Sequence, residues 1–159
     1  MCFCVPQVPA ARALLAGGLD VMELVLRTDA AEAALERISR EVPAMLVGAG
    51  TVLSTAQAER AVGLGAQFLV SPGTNAHVVK SAHLLGCPIV PGVSTASEVE
   101  VAMGLGLDHL KFFPAEAAGG TATLKALSGP YRNVHWMPTG GISLASLPNY
   151  LTLKQVASA

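Results

Sequence analysis

Two short apolar runs in this 159-residue chain carry charges that a solvated surface does not explain. Glu23 interrupts Val21-Met22-Glu23-Leu24-Val25-Leu26, Arg27 ends the same run, and Lys111 sits inside His109-Leu110-Lys111-Phe112-Phe113-Pro114. Burying a charge is costly unless it is paired or has a chemical task. Side chains alternate along a strand, so Glu23, Val25 and Arg27 share one face, with Glu23 and Arg27 about 13 Å apart. A neutral lysine amine adds to a ketone, and a carboxylate nearby can move protons on and off the adduct. A glutamate and a lysine entering one apolar interior therefore suit covalent carbonyl chemistry. The same residues also suit a structural ion pair, Glu23 with Lys111 or Arg27, or a lysine whose head reaches out to solvent.

The elements that must position these residues follow a regular rhythm. Short apolar runs recur at Val21–Leu26, Ala44–Val47, Phe68–Val70, Pro88–Val90, His109–Phe113 and His135–Met137, each bounded by Gly or Pro. Runs of this kind predict strands buried on both faces, as in a parallel sheet. Between them, Ala31, Leu35, Ile38 and Val42 fall on one helical face, with Glu32, Glu36, Arg37 and Arg40 largely on the others. Ser54-Thr55-Ala56-Gln57 and Thr95-Ala96-Ser97-Glu98 read as capping boxes at helix starts. Gly17-Gly18, Gly63/Gly65, Gly86 and Gly104/Gly106 read as helix stops.

Uninterrupted alternation of this kind predicts parallel strands joined by right-handed crossovers, in a single domain over residues 1–159. Residues with chemical potential cluster just beyond the C-terminal ends of the strands: Arg27-Thr28, Gly50-Thr51, Ser71-Pro72-Gly73, Pro91-Gly92, Pro114-Ala115-Glu116 and Thr139-Gly140-Gly141. A ring of such loops on one face is the layout of a TIM barrel, whereas a doubly wound sheet concentrates its site at one switch point. A further strand could begin at Gln155-Val156. Gly48-Ala49-Gly50-Thr51 lacks the lysine of a phosphate-binding P-loop.

Composition narrows the function classes. With 52% hydrophobic and 13% charged residues the chain is too apolar for disorder. Its formal net charge of −1 gives no footprint for nucleic acid and no basic face for a membrane surface. No apolar run reaches the ~18–20 residues of a membrane helix, and Met1–Val5 makes a poor signal peptide. Cys2, Cys4 and Cys87, with the scattered His77, His83, His109 and His135, match no disulfide framework or metal-ligand spacing. A cytoplasmic enzyme of small anionic metabolites fits this balance.

The motifs Leu14-Leu15-Ala16-Gly17-Gly18, Met22-Glu23-Leu24-Val25-Leu26-Arg27-Thr28, Val47-Gly48-Ala49-Gly50-Thr51-Val52, Phe68-Leu69-Val70-Ser71-Pro72-Gly73, Pro91-Gly92-Val93-Ser94-Thr95, Lys111-Phe112-Phe113-Pro114-Ala115-Glu116 and Pro138-Thr139-Gly140-Gly141-Ile142 occur in a telling order. In that order the chain resembles the bacterial 2-keto-3-deoxy-6-phosphogluconate (KDPG) and 4-hydroxy-2-oxoglutarate (KHG) aldolases, from about Pro9 to about Leu153. The resemblance implies a (β/α)8 barrel, a homotrimer, and class I Schiff-base cleavage of a 2-keto-3-deoxy sugar acid to pyruvate, with no metal or cofactor. It casts Lys111 as the imine-forming lysine and Glu23 as the acid–base carboxylate. Arg27 and Thr51 would hold the pyruvyl carboxylate, Pro72 would pack against that moiety, and Thr139 would contact substrate. Gly140-Gly141 would let backbone N–H groups approach a phosphate.

The chain departs from the family pattern at both ends. The strand that usually precedes the first helix and the last strand with its Gly-Gly-Ser loop have no counterpart, so the first and eighth barrel strands are expected to be missing or incomplete. Residues 1–5 offer at most a strand stub. Such losses would open the barrel wall, expose apolar edges and remove half of the expected phosphate cradle. The alternatives are a 2-dehydro-3-deoxy-6-phosphogalactonate aldolase, or a non-catalytic truncated barrel that binds 2-oxo acids.

Overall fold

Helices and strands alternate along residues 7–158, the part of the chain that the computed structural model describes. The helices are α1 (Gln7–Ala16), α2 (Asp29–Glu41), α3 (Thr55–Gly63), α4 (Ala76–Leu84), α5 (Ala96–Gly104), α6 (Gly120–Ser128) and α7 (Leu147–Leu151). The strands are β1 (Val21–Val25), β2 (Leu46–Gly50), β3 (Leu69–Val70), β4 (Ile89–Val90), β5 (Gly92–Val93), β6 (His109–Phe112) and β7 (His135–Pro138). One sheet has the order β1-β2-β3-β4 and another the order β5-β6-β7. Every pairing whose register is defined is parallel. The architecture is thus α/β with parallel sheets. The stub expected at residues 1–5 lies outside the described residues.

The described residues form two compact units. One runs to Val70 and includes Lys80–Ile89; the other comprises Ser71–Val79 and the chain from Val90 onward. In the first, the expected face of α2 is buried: Leu35 and Ile38 are fully inaccessible, Val42 nearly so, and Ala31 is half-buried. Val8 and Ala11 of α1 are also buried. The charged face of α2 is solvated, and Glu32 reaches Arg60 of α3 at 3.2 Å.

The second unit is organised by alternation on β6 and β7. Leu110, Phe112 and Trp136 are fully buried in a core with Val99 and Ala102 of α5, Leu124 of α6 and Tyr150 of α7. The Phe112 and Trp136 rings meet edge to face, 6.5 Å apart. The other set, His109 and Lys111 with their partners His135 and Met137, stays at least partly accessible. The strand start expected at Gln155-Val156 becomes a single parallel bridge, Trp136 to Val156, in which Trp136 N–H donates to the Gln155 carbonyl at 2.7 Å.

Three local expectations are corrected. β2 spans Leu46–Gly50, two residues later than Ala44, and takes in Gly48 and Gly50. Glycine weakens a strand, but it is tolerated where another group approaches closely, and the Phe68 ring lies where a Gly48 Cβ would be. β1 is not buried on both faces: Val21 is 53% and Val25 38% exposed, at one end of the sheet order. The Pro88–Val90 run gives β4 at Ile89–Val90, and Pro91, which lacks the N–H that would continue the ladder, separates it from a further short strand, β5.

The Thr95 box is complete. Thr95 Oγ1 accepts from Glu98 N–H at 3.3 Å, and Glu98 Oε2 accepts from the N–H groups of Thr95 at 2.9 Å and Ser94 at 2.8 Å. The Ser54 box is shifted, since Gln57 returns its bond to Leu53 N–H instead of Ser54 N–H. The Ser94 N–H bond, followed by those from the Ser94 and Thr95 hydroxyls and the Thr95 N–H, holds the Glu98 carboxyl below its ordinary value, with burial opposing. A lowered folded-state value contributes stability that is present above the unfolded value and lost as pH falls through the folded one. Thr95→Ala is therefore expected to cost about 1 kcal/mol at pH 7 by urea unfolding. The stability gap between wild type and Glu98→Gln should shrink on acidification below the ordinary glutamate range.

Candidate active site

In the first unit the candidate residues stand at the C-terminal end of β1 and β2. Glu23 pairs in register with Gly48, and Val25 with Gly50. The Glu23 carboxylate lies across Gly50, in the space that a Cβ there would occupy. Glycine at 50 therefore makes room for the glutamate. Thr51, immediately after β2, has φ +63°, the left-handed region, and no other described non-glycine residue has positive φ. For a β-branched residue this is a strained conformation, of a kind that clusters at functional sites. It is held from both sides: Leu26 N–H donates to Gly50 O at 2.9 Å, and Val52 N–H to Val70 O at 3.1 Å. Arg27 is exposed just beyond β1, its N–H on the Val25 carbonyl at 3.0 Å.

In the second unit Lys111 occupies the middle strand of the three-stranded sheet. Its register partners are Gly92 on β5 and Met137 on β7. Gly92 again removes a side chain where space is needed: a Cβ there would collide with the Pro72 carbonyl. Pro72, Gly92 and Lys111 are thereby linked, because Lys111 N–H also donates to Pro91 O at 2.9 Å. The Lys111 ammonium nitrogen sits 5.1 Å from the centre of the Phe113 ring, within cation–π range. Two residues earlier, His109 stacks on His135 with ring centres 4.7 Å apart.

The loops after β6 and β7 are zipped together. Thr139 N–H donates to Phe112 O at 3.0 Å, Ala115 N–H to Thr139 O at 2.7 Å, and Glu116 N–H to Gly140 O at 3.0 Å. The Thr139 hydroxyl is buried and has no partner among the described residues. The same holds for the Trp136 indole N–H. Gly140 and Gly141 have φ of +102° and +82°, which side chains rarely adopt. Among the described residues their N–H groups donate no hydrogen bond, leaving adjacent backbone donors of the kind that cradle anions. Glu116 accepts a 2.6 Å hydrogen bond from Tyr150, whose hydroxyl is pushed up to about 12 by burial and then by that bond.

Within the first unit the structure thus brings Glu23 to Gly50 and Thr51. Within the second it links Lys111 to Pro72 through Gly92, and to Thr139 and Gly140 through the paired β6 and β7 loops. The roles of Gly50, Gly92 and Tyr150 are not evident from the residues alone. A glycine inside an apolar strand is the available signal for the first two; a lone tyrosine in a short helix carries none.

Comparison with known proteins gives this arrangement a class. A model of the KDPG and KHG aldolase family matches residues 6–159. An Escherichia coli K12 protein named KHG/KDPG aldolase is 48% identical over 149 residues, covering 94% of this chain and 70% of its own length. Among solved structures, the KDPG aldolase of Legionella pneumophila superposes with a TM-score of 0.93 at 42% identity, covering 96% of this chain and 74% of that one. It was captured with pyruvate as a covalent carbinolamine intermediate. The Zymomonas mobilis ZM4 aldolase with 3-phosphoglycerate gives 0.87 at 46% identity, covering 91% and 69%. The protein is an aldolase, a carbon–carbon lyase. Within that class, the chain belongs to the KDPG and KHG aldolase family.

The crowding at Gly50 makes a direct prediction. Gly50→Ala forces the Glu23 carboxylate aside, with an overpacking cost of about 1–3 kcal/mol. With Glu23 as the acid–base carboxylate that the resemblance implies, pyruvate release should fall roughly a hundredfold, the effect expected of an ångström's misplacement. Gly63→Ala, in α3 with open space around its Cβ, should leave pyruvate release unchanged and stabilise the fold by up to about 1 kcal/mol. A coupled pyruvate assay and urea titration of both variants check this.

Proposed function

We propose that the protein is a class I aldolase, cleaving 2-dehydro-3-deoxy-6-phosphogluconate to pyruvate and glyceraldehyde 3-phosphate. The same site would cleave 4-hydroxy-2-oxoglutarate to pyruvate and glyoxylate. The observation that carries this reading is the place of Lys111, on a central strand beside a glycine, in a chain 42% identical to one captured with pyruvate as a carbinolamine. A carbinolamine forms when an amine adds to a ketone, and lysine supplies such an amine.

In this reading the Lys111 amine adds to the C2 ketone, and the resulting hydroxyl, protonated by Glu23, leaves as water to give a protonated imine. Glu23, directly or through a water, takes the proton of the C4 hydroxyl. The C3–C4 bond breaks, its electron pair passes into the imine as an enamine, and the aldehyde departs. Protonation at C3 and addition of water to the imine then release pyruvate and regenerate the amine. The imine matters because the electron pair ends in a neutral enamine instead of a carbanion.

Arg27 and Thr51 hold the pyruvyl carboxylate, where a planar guanidinium offers paired donors. The strained backbone of Thr51 supports that role. Pro72 packs against the same moiety. Thr139 offers its unpartnered hydroxyl to the substrate, and Gly140-Gly141 present N–H groups to the phosphate. The residues call for no metal or cofactor. The surrounding framework is a (β/α)8 barrel formed as one aldolase domain, consistent with a family match that runs across both units. The working assembly is a homotrimer in the cytoplasm. No described helix is long and apolar enough to cross a membrane.

Borohydride reduction in the presence of pyruvate tests the central step. Intact-mass analysis is expected to show one reduced pyruvyl adduct on the wild-type chain and none on Lys111→Met. A folded wild-type chain without an adduct would remove the Schiff base from the proposal.

A further inference from the structure

The paired loops after β6 and β7 have an anchor that the chemistry at Lys111 does not require. Glu116 N–H donates to Gly140 O at 3.0 Å, and a Cβ on Gly141 would stand only 3.0 Å from Glu116 Cβ and 3.1 Å from its Cγ. The backbone of Gly140-Gly141 therefore rests on the stem of Glu116. The Glu116 carboxylate is in turn tied to the Tyr150 hydroxyl at 2.6 Å. Tyr150 has no solvent exposure and belongs to the core that contains Trp136, Phe112 and Leu124. A continuous path thus runs from that core through Tyr150 and Glu116 to two glycines with left-handed backbones.

We propose that Tyr150 and Glu116 are positioning residues that set the preference for a phosphorylated substrate by fixing the Gly140-Gly141 loop. This rests on the aldolase reading above. Two effects act in the same direction. Glycines at positive φ have more freedom than other residues, so a loop built on them holds paired N–H donors only if something else restrains it. A glutamate beside an anion cradle also weakens it unless its charge is drawn elsewhere. Tyr150 draws it: both carboxylate oxygens lie 3.9 Å from the Cβ position of Gly120, in the first turn of α6, where the partial positive charge of the helix end favours a carboxylate. Because its hydroxyl stays protonated up to about pH 12, Tyr150 remains a donor throughout the working range. Lys111 sits upstream on the same strand pair and has its own ladder to β5 and β7, so it keeps its place when the Glu116–Tyr150 tether is cut.

Tyr150→Phe removes the hydroxyl and keeps the ring. The test compares KM and kcat for 2-dehydro-3-deoxy-6-phosphogluconate and for unphosphorylated 4-hydroxy-2-oxoglutarate, alongside borohydride trapping with pyruvate. KM for the phosphorylated substrate should rise roughly tenfold, the effect of losing about one well-placed hydrogen bond. Its kcat, both constants for the unphosphorylated substrate and the pyruvate adduct should stay within about twofold of wild type. Glu116→Ala, at an exposed side chain, removes the tether and the charge together, so it should raise KM for the phosphorylated substrate by less than Tyr150→Phe and leave the unphosphorylated substrate unchanged; it serves if Tyr150→Phe proves unstable. Glu116→Gln keeps an oxygen acceptor for Tyr150 and should restore KM to near the wild-type value. Equal losses on both substrates, no change on either, or loss of the pyruvate adduct in the variants would overturn the positioning role and leave the aldolase reading standing. Absence of the adduct in wild type would overturn both.

Discussion

A charged side chain that must work among packed parallel strands needs space, and adjacent strands are only about 4.8 Å apart. Here the space comes from glycine. The Glu23 carboxylate occupies the volume that a side chain at position 50 would fill, and Gly92, the register partner of Lys111, lets the Pro72 carbonyl come close to its backbone. Each glycine weakens its strand, and the loss is borne by the surrounding apolar core: Val47, Ala49, Leu69 and Val70 in one unit, Leu110, Phe112 and Trp136 in the other. The catalytic candidates are thus set by omission as much as by contact. A larger residue at 50 would displace the Glu23 side chain, and one at 92 would displace the backbone at Pro72.

The second recurring device is hydrogen bonding between loops that are distant in sequence. The segment after β6 and the segment after β7 share backbone bonds at Ala115–Thr139 and Glu116–Gly140. Lys111 and the Thr139–Gly141 segment are consequently placed by the same pair of strands. The ladder from Gly92 through Lys111 to Met137 fixes Lys111, and its continuation fixes Thr139 and the backbone of the two glycines.

Strand and helix alternation was legible because parallel strands are short, apolar and punctuated by glycine and proline. Glu23 and Lys111 stood out for the same reason, as charges where the pattern calls for apolar residues. Their chemistry was not legible from placement alone, since an ion pair has the same signature; the roles proposed for them rest on the resemblance that the ordered motifs carry. The end of β2 was misplaced because propensity counts Gly48 and Gly50 against a strand, and only the approach of Phe68 and Glu23 reveals why they belong there. Tyr150 was invisible for a different reason. An aromatic in a five-residue helix reads as packing, and its hydrogen bond joins residues 34 apart in sequence.

The conformation of Thr51 bears on how this protein loses activity when heated. A threonine at φ +63° stays there only while the bonds on either side, Leu26 to Gly50 and Val52 to Val70, remain closed. The left-handed backbone there costs about 1–2 kcal/mol, which the flanking bonds offset, so opening them would release the strain by a local motion short of global unfolding. With Thr51 in the role proposed above, activity is expected to be lost on heating before the surrounding helices and sheets melt.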